Sequence, residues 1–285
     1  MSMAGVHGEF AYTMGDFQNI ALLVKAGSGI DLPQSKATLV YSRLAKRVRE
    51  HSLSTFKEYC DLVREDDNER HRMIAALTTN VTKFFREQHH FDHLLAKTVT
   101  PMAAGLRRGD KLRIWSSACS SGQEPYSIAL TLLAAIPEAP KLDIRILATD
   151  LNPFMVDHGR RGAYEASELD TVPAALRAKW FSPVPDEAGM FQIASEARSL
   201  VSFRQLNLME RWPMSGKFHA IYCRNVAIYF DRDTQDRLWA RLSELLLDNA
   251  YLYIGHSERV AAEQARRLRS DGITTYVRTG GVDNG

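Results

Sequence analysis

Small and acidic residues follow two apolar segments whose pattern is typical of β-strands. Asp150 follows the segment 144–149, and the loop 116–125, with the sequence SSACSSGQEP, follows the segment 112–115. Small side chains let a ligand approach the backbone, and Pro125 suits the first turn of a helix. A carboxylate at a strand end can accept hydrogen bonds from both hydroxyls of a ribose. The pattern is compatible with a nucleoside ligand, although Asp in this position can equally cap the following helix.

The loop 116–125 does not carry the chemistry that binds diphosphates. It holds a single glycine, Gly122, and neither the dinucleotide fingerprint G-x-G-x-x-G nor a G-x-x-x-x-G-K-[ST] loop occurs in the chain. The sequence therefore gives no signal for a pyrophosphate or a nucleoside triphosphate. A ligand with an amino-acid end suits this loop better.

Short apolar segments alternate with helical patterns after Gly109, which predicts a parallel sheet built from crossover units. The rhythm breaks between residues 163 and 203, where the apolar stretch 190–193 beside Gly189 predicts a small inserted subdomain with a hairpin. Ligands of such sheets bind at the carboxyl ends of the strands. The predicted strands are 112–115, 144–149, 200–205, 218–223, 250–255 and 274–278, and helices are predicted over 125–135 and 233–247.

The first part of the chain carries helical patterns. Val40, Leu44 and Val48 recur every four residues and predict a helix over 36–50. A capping box at Thr55 opens a second helix, and two more are expected, one over 69–77 and one that follows the block 84–87 and runs to about 97. We therefore expect a helical domain over residues 1–88 and an α/β domain over residues 89–285, with the insertion at about 163–203.

The helix 36–50 has a basic face. No acidic residue occurs between Lys36 and Arg49, and at 100° per residue four cations fall on one arc beside the apolar stripe. Taken alone, such a face is typical of a solvated helix surface. The four cations are Lys36, Arg43, Lys46 and Arg47.

Composition excludes several classes of protein. The net charge of +2 disfavours a general nucleic-acid binder. No segment approaches the roughly 20 apolar residues that span a bilayer, and the N-terminus lacks the pattern of a secretion signal. Three cysteines without C-x-x-C spacing favour neither a disulfide framework nor a zinc site. We expect a cytoplasmic monomer that neither inserts into membranes nor binds nucleic acid.

Four stretches, read together, resemble the signature blocks of the CheR family of chemotaxis-receptor methyltransferases. They are 77–87 (LTTNVTKFFRE), 115–127 (WSSACSSGQEPYS), 223–230 (CRNVAIYF) and 255–258 (GHSE), in the family's order. The resemblance implies an α/β protein in which an N-terminal all-helical domain precedes a Rossmann-like domain that depends on S-adenosylmethionine (SAM), with a small inserted β subdomain. The implied reaction methylates glutamate carboxylates of methyl-accepting chemotaxis receptors for sensory adaptation, giving methyl esters and S-adenosylhomocysteine (SAH).

The resemblance also implies roles for particular residues. Arg86 would pair with the methionine carboxylate, Asp150 would bind the ribose, and Glu124 is the acidic residue of its loop, with Gln123 where relatives can have a second Glu. The basic helix face would meet the acidic methylation region of the receptor. The full implied cofactor set is Asn80, Thr82, Arg86, Glu124, Asp150, Asn207 and Leu208 beside the adenine, and Asn225 and Val226 near the sulfonium.

A carboxylate nucleophile is already ionised at neutral pH, so an in-line displacement at a sulfonium needs no general base. We expect the enzyme to act by positioning and desolvation, and we assign no residue as an obligatory base. No metal is expected, because the i, i+4 pair His89 and His93 lacks an H-E-x-x-H pattern.

Two other functions fit part of the sequence. A nucleic-acid methyltransferase would usually carry an Asp/Asn-Pro-Pro-aromatic motif, whereas Asn225 is followed by Val-Ala-Ile. A binding module could keep the fold and sense SAM or SAH without turnover. A measurement of methyl transfer, as opposed to binding alone, distinguishes the sensor from the enzyme.

Overall fold

A computed structural model describes residues 8–261 and 267–280. Contacts divide the chain into a helical unit, residues 1–79 with 229–234, and an α/β unit, residues 80–228 with 235–285. The division follows residue 79, whereas the sequence suggested residue 88, because the segment after Asn80 packs in the α/β unit. There Ser127 Oγ accepts the Phe85 N–H at 2.9 Å. Expectations for residues 1–7, 262–266 and 281–285 lie outside the described residues.

From residue 8 to residue 79 the helical unit contains four α-helices, and the predicted periodicity is observed in its core. Val40, Leu44 and Val48 are fully buried. Thr13 and Thr55 form capping boxes at the first and third helices. The helices are α1 Met14–Ser28, α2 Ala37–Glu50, α3 Phe56–Glu65 and α4 Asp67–Leu77, with a 3-10 turn Gln34–Lys36 before α2.

The segment 229–234 packs within the helical unit although it is distant in sequence. The Asp31 N–H donates to the Tyr229 carbonyl at 2.8 Å, and Ile30 forms an antiparallel bridge with Phe230. The Lys25 ammonium lies 2.8 Å from Asp231 and 3.2 Å from Asp31. Backbone and ionic contacts therefore join this segment to the end of α1.

The α/β unit is built on a seven-stranded sheet with the order β6-β2-β1-β7-β8-β10-β9. The strands β6, β2, β1, β7 and β8 are parallel, and β10 and β9 complete the sheet in antiparallel pairing. The chain runs outward from β1 through β2 to β6 and resumes at β7, so the strand order reverses between β1 and β7. The strands are β1 Leu112–Ser116, β2 Ile144–Asp150, β6 Val201–Gln205, β7 Phe218–Cys223, β8 Leu246–Ile254, β9 Leu268–Gly272 and β10 Thr275–Arg278.

The insertion forms a second, three-stranded antiparallel sheet with the order β3-β5-β4. The predicted hairpin is present as the β4–β5 pair, and β3 adds a third strand that the sequence did not suggest. The predicted range 163–203 overlaps β6, which pairs with β2 in the large sheet. The elements are β3 Ala163–Glu165, α9 Ala174–Trp180, β4 Phe181–Pro183, β5 Met190–Ile193 and α10 Ser195–Ser199.

Two helix predictions were wrong at their ends. The helix expected after 84–87 begins at His89, since Phe85 and Glu87 have positive φ angles of 51° and 58°, which a helix does not allow, but helical backbone continues past the expected end near residue 97 to Arg107. The helix expected to reach residue 247 ends at Glu244, and β8 starts two residues later. The remaining helices are α5 His89–Leu94, continued by a π-helical turn Leu95–Val99 into α6 Thr100–Arg107, α7 Gln123–Ala135, α8 Pro153–Arg161 and α11 Arg232–Glu244.

His90 is a core residue of the α/β unit. Its side chain is fully buried, its ring lies 5.2 Å from that of Tyr253, and its Nε2 atom is 2.9 Å from Thr274 Oγ1. Burial is the main cause that lowers the pKa of His90 from 6.5 to about 2. His90 is therefore neutral in the folded protein, whereas it can be protonated in the unfolded chain.

Acid should destabilise the wild type partly through His90. A lowered folded-state pKa gives stability that is present above the unfolded pKa of 6.5 and is lost as the pH falls below it. Between pH 7.5 and 5.5, His90 should contribute a loss of about 1.4 kcal/mol in the free energy of unfolding. Urea denaturation of the wild type, His90→Gln and the exposed-site control His71→Gln measures this. An unchanged pH dependence in His90→Gln would contradict the assignment.

Within residues 8–261 and 267–280, every helix is too short or too polar to serve as a transmembrane span.

Candidate active site

The polar groups predicted from the sequence lie at the carboxyl ends of β1, β2 and β7, beside the point where the strand order reverses. Asp150 is the last residue of β2, the loop 117–122 follows β1, and Asn225 lies two residues after β7. This edge is where open α/β sheets bind ligands. All these residues belong to the α/β unit.

Asp150 is almost fully buried and organises the loop after β1. Its carboxylate accepts the Ser120 N–H at 2.8 Å and the Asn152 N–H at 2.9 Å. Burial raises the pKa of Asp150, and these backbone hydrogen bonds oppose the rise. The cap of α8 is Asn152, which accepts the Phe154 N–H at 3.0 Å. Asn152, and not Asp150, therefore caps α8. The carboxylate of Asp150 keeps lone pairs that a ligand can use.

Glu124 lies in the first turn of α7, after Gly122 with a φ of 98°. Its carboxylate accepts the Ser116 hydroxyl at 2.7 Å and the Arg224 guanidinium at 3.0 Å. Burial raises the pKa of Glu124, and Arg224 is the first cause that lowers it.

Gln123 precedes Glu124, and its side chain is held within the unit. Its carbonyl oxygen accepts the Ser121 hydroxyl at 2.8 Å, and its amide donates to Glu168 at 2.9 Å. Of the two neighbours, Glu124 is the one with a buried negative charge at the strand ends.

The segment 80–87 lies against the strand ends. The Ser120 hydroxyl donates to the Asn80 carbonyl at 2.9 Å, and Arg86 donates to the Val81 carbonyl at 3.1 Å. The Arg86 carbonyl in turn accepts the guanidinium of Arg224. Two of the predicted cofactor residues, Asn80 and Arg86, are thus attached to the loop after β1 and to the end of β7.

Glu258 shapes the loop that holds Asn225 and Val226. One carboxylate oxygen accepts the Val226 and Ala227 N–H groups at 3.0 and 2.7 Å. The other accepts the N–H groups of Asn225 at 3.0 Å and of Gly255. Burial raises the pKa of Glu258, and all four backbone contacts oppose the rise. The carboxylate therefore lets the turn adopt an irregular backbone, in which Asn225 has a φ of 57°.

Asn207 and Leu208 follow β6, the edge strand beside β2. The Asn207 side chain accepts the Met209 N–H and donates to Glu210, both at 3.0 Å. The Leu208 carbonyl accepts Arg241 at 2.7 Å, and the same guanidinium lies 3.8 Å above the Trp212 ring. The predicted adenine-side loop is thus held by its own turn and by α11.

The four predicted basic residues of the helical unit divide into two kinds. Lys36 is exposed at the N-cap of α2, and the exposed Lys46 has only a 3.7 Å contact with Glu50. Arg43 instead donates to the Thr78 carbonyl at 2.8 Å, beyond the end of α4. Arg47 pairs with the carboxylate of Glu69, whose side chain is 1% exposed. The two lysines are available for a partner, whereas the guanidinium groups bind within the unit.

One cluster of metal-ligating types occurs in the described part of the chain. Candidate ligand atoms of Glu87, His89 and His90 lie within 4.8 Å of one another. The guanidinium of Arg224 is 3.5 Å from Glu87 Oε2, so a positive charge already adjoins the carboxylate. We assign no metal to this cluster.

Comparison with known proteins agrees with the geometry. The family model "CheR methyltransferase, SAM binding domain" matches residues 80–277, and "CheR methyltransferase, all-alpha domain" matches residues 15–78. The chain belongs to the CheR methyltransferase family. The match to the SAM-binding domain begins at Asn80, where the contacts also divide the chain. The match to the all-α domain covers the four preceding helices.

Named relatives of this CheR chain cover most of its length. It is 47% identical to a probable chemotaxis protein methyltransferase of Rhizobium etli over 89% of this chain and 96% of the relative. It is 42% identical to chemotaxis protein methyltransferase 2 of Pseudomonas aeruginosa over 94% of each. It is 36% identical to the chemotaxis protein methyltransferase of Escherichia coli over 91% of this chain and 89% of the relative. The protein is accordingly a SAM-dependent methyltransferase of the Rossmann-like class.

Sequence reasoning missed two residues that shape the candidate site, Arg224 and Glu258. Both lie inside signature blocks that the sequence analysis quoted, Cys-Arg-Asn and Gly-His-Ser-Glu. A charged residue next to an apolar strand end was the available signal. The roles of these residues depend on contacts between segments far apart in sequence: Arg224 contacts Glu124, and Glu258 contacts the backbone after β7.

Proposed function

We propose that this CheR protein methylates glutamate side chains of methyl-accepting chemotaxis receptors, with SAM as the methyl donor and SAH as the product. The observation that carries the proposal is the arrangement at the strand ends. Two buried carboxylates lie in a domain that matches the SAM-binding family model: Asp150, which suits the ribose hydroxyls, and Glu124, which suits the ammonium of the methionine part. The relatives are named chemotaxis protein methyltransferases, which supports a receptor as the acceptor.

In this proposal different residues of the site bind different parts of SAM. Asp150 accepts the ribose hydroxyls, and the Asn207–Leu208 turn borders the adenine. Glu124 and Arg86 bind the ammonium and carboxylate of the methionine part, because each offers the opposite charge. The remaining proposed contacts, near the amino-acid end and the sulfonium, are Asn80, Thr82, Asn225 and Val226.

The mechanism we propose relies on positioning. SAM supplies a methyl group on a positively charged sulfur, and the receptor supplies an ionised carboxylate, so no proton has to be removed. The buried carboxylates of the site already accept hydrogen bonds. Asp150 does so from two backbone N–H groups, Glu124 from Ser116 and Arg224, and Glu258 from four backbone N–H groups. Such preorganised groups orient the reactants and exclude water, which accounts for catalysis without a base.

The direct test is transfer of a radiolabelled methyl group from SAM to purified receptor cytoplasmic fragments. The expected product is a base-labile methyl ester, formed on fragments with glutamate at the methylation sites and absent when these are changed to alanine. Binding of SAH without any transfer would instead support the sensor function. Label in nucleic acid and not in the receptor would support the other methyltransferase class. We propose a cytoplasmic location and a monomeric enzyme for this reaction.

We propose that the receptor binds the basic face of α2. Lys36 and Lys46 are exposed. Arg43 adds a positive charge that, among the described residues, only backbone carbonyls accept, and Arg47 extends the face although its charge is paired with Glu69. Reversal of both lysines, Lys36→Glu with Lys46→Glu, should lower kcat/KM for the receptor about tenfold at low salt, because rim charges steer association. The loss should shrink at 0.5 M salt as screening increases.

The matched control for this prediction is Lys57→Glu. Lys57 is 80% exposed on α3 of the same unit, and its ammonium pairs with Asp61, one turn further along the same helix. SAH affinity should equal that of the wild type in both variants. If Lys57→Glu lowered kcat/KM as much as the double reversal, net charge would be responsible and the α2 surface would not be a receptor site.

A further inference from the structure

Arg224, the residue that follows β7, connects three segments of the proposed cofactor site. Its side chain is 2% exposed. One guanidinium nitrogen donates to Glu124 at 3.0 Å, and another donates to the Arg86 carbonyl and lies 3.5 Å from Glu87. Asn225, the next residue in the chain, is a proposed cofactor contact. A single buried cation thus joins α7, the segment 80–87 and the end of β7.

We propose that Arg224 is a positioning residue for SAM binding, which supplies the counter-charge of Glu124 and fixes the turn that carries Arg86. The inference rests on the proposed function, because it takes Glu124 and Arg86 as cofactor contacts. Arg224 itself need not touch the cofactor.

The charge of Glu124 depends on few groups. The Ser116 hydroxyl and Arg224 favour the ionised carboxylate, whereas burial and the charge of Glu87 oppose it, so that the pKa of Glu124 is raised even with Arg224 present. Without the guanidinium, burial and the charge of Glu87 outweigh the Ser116 hydrogen bond, so the pKa of Glu124 rises further. A protonated Glu124 offers no charge to the ammonium of a bound amino acid. The other neighbouring groups are Cys119, Tyr222 and Cys223, whose pKa values burial raises well above their ordinary values, so they remain neutral.

The turn 84–87 depends on Arg224 for a second reason. Phe85 and Glu87 both have left-handed φ angles, 51° and 58°, which are costly for residues other than glycine. The Phe85 N–H donates to Ser127, and the Arg86 carbonyl accepts Arg224. These contacts hold the backbone on both sides of Arg86. The planar guanidinium can serve Glu124 and Arg86 together, whereas the point charge of a lysine cannot.

The test is calorimetric titration of SAH into the full chain from pH 6 to pH 8. The wild type should show nearly constant affinity, whereas Arg224→Met should bind about tenfold or more weakly at pH 6 and recover as the pH rises. Glu124→Gln should be weakened at every pH. The double variant, Arg224→Met with Glu124→Gln, should be independent of pH, and its loss should be smaller than the product of the two single losses.

Two further variants keep the inference falsifiable. Arg224→Lys retains a charge without the fork and should weaken binding severalfold with no new pH dependence; it replaces Arg224→Met if that variant does not fold. Arg107→Met is the control, because Arg107 forms a surface ion pair with Glu138. Wild-type affinity in Arg224→Lys, together with pH-independent binding in Arg224→Met, would overturn the positioning role. If Arg224→Met does not fold, wild-type affinity in Arg224→Lys alone would overturn it. Wild-type affinity in Glu124→Gln would instead overturn the proposed role of Glu124.

Discussion

Asp150→Ala is expected to weaken SAH binding by about 100-fold or more. Hydrogen bonds to a charged group contribute about 1.5–3 kcal/mol each, and the proposed ribose contact contains two. Each 1.4 kcal/mol is about a tenfold change in affinity. The alanine would also remove the acceptor of the Ser120 and Asn152 N–H groups, which shape the loop after β1. Calorimetric titration of SAH into the wild type and the variant measures the loss.

Asp143→Ala is the matched control, because Asp143 lies just before the opposite end of β2. Its side chain is 47% exposed and pairs with Arg113. This variant should bind SAH as the wild type does, whereas Asp150→Asn, which keeps the shape and loses the charge, should fall between. If Asp150→Ala retained wild-type affinity, the ribose role of Asp150 would be wrong.

Glu258→Gln is expected to lower the free energy of unfolding by about 3–6 kcal/mol and to abolish most methyl transfer. Each carboxylate oxygen accepts two backbone N–H groups. A glutamine therefore places its NH₂ group against two donors whichever way the amide is turned. The loss of two charge-assisted hydrogen bonds, at about 1.5–3 kcal/mol each, gives the expected magnitude. Urea denaturation and a methyl-transfer assay measure the two effects.

The control for this variant is Glu244→Gln on the same unit. Glu244 is 65% exposed and pairs with Arg267 at the surface, where an ion pair contributes little. It should change the free energy of unfolding by less than about 1 kcal/mol. A similarly small change in Glu258→Gln would show that the loop after β7 does not depend on the carboxylate.

Much of the fold followed from hydrophobic periodicity. The parallel strands were predicted from short runs of apolar residues, and α2 was predicted from apolar residues that recur every four positions and form one buried face. The errors lie where local sequence has no period. The turn 84–87 has no such period, and its left-handed angles at Phe85 and Glu87 are held by tertiary contacts such as that of Phe85 with Ser127, so the sequence could not predict its backbone. Strand β9, with the sequence LRSDG, carries no alternation that would mark it.

The site was predictable to the extent that chemistry follows a strand end. Asp150 was singled out from its place at the end of a predicted strand, whereas Glu124 was named only through the family resemblance. The sequence left open whether Asp150 binds a ligand or caps the following helix, and the hydrogen bond from the Phe154 N–H to Asn152 shows that Asn152 caps α8. The ion pair of Arg47 could not be predicted from the sequence, because its partner Glu69 lies on another helix, 22 residues away.

The packing of segment 229–234 with the helical unit has a consequence for synthesis on the ribosome. The first 79 residues leave the ribosome long before the chain reaches Phe230, the bridge partner of Ile30. Domains generally fold as units, the N-terminal one first. Here the emerging helices must wait for about 150 further residues before Lys25 meets Asp231, which at about 5–20 residues per second takes roughly ten seconds or more. A fragment cut after residue 79 should therefore be more easily proteolysed near the end of α1 than the same helices in the full chain.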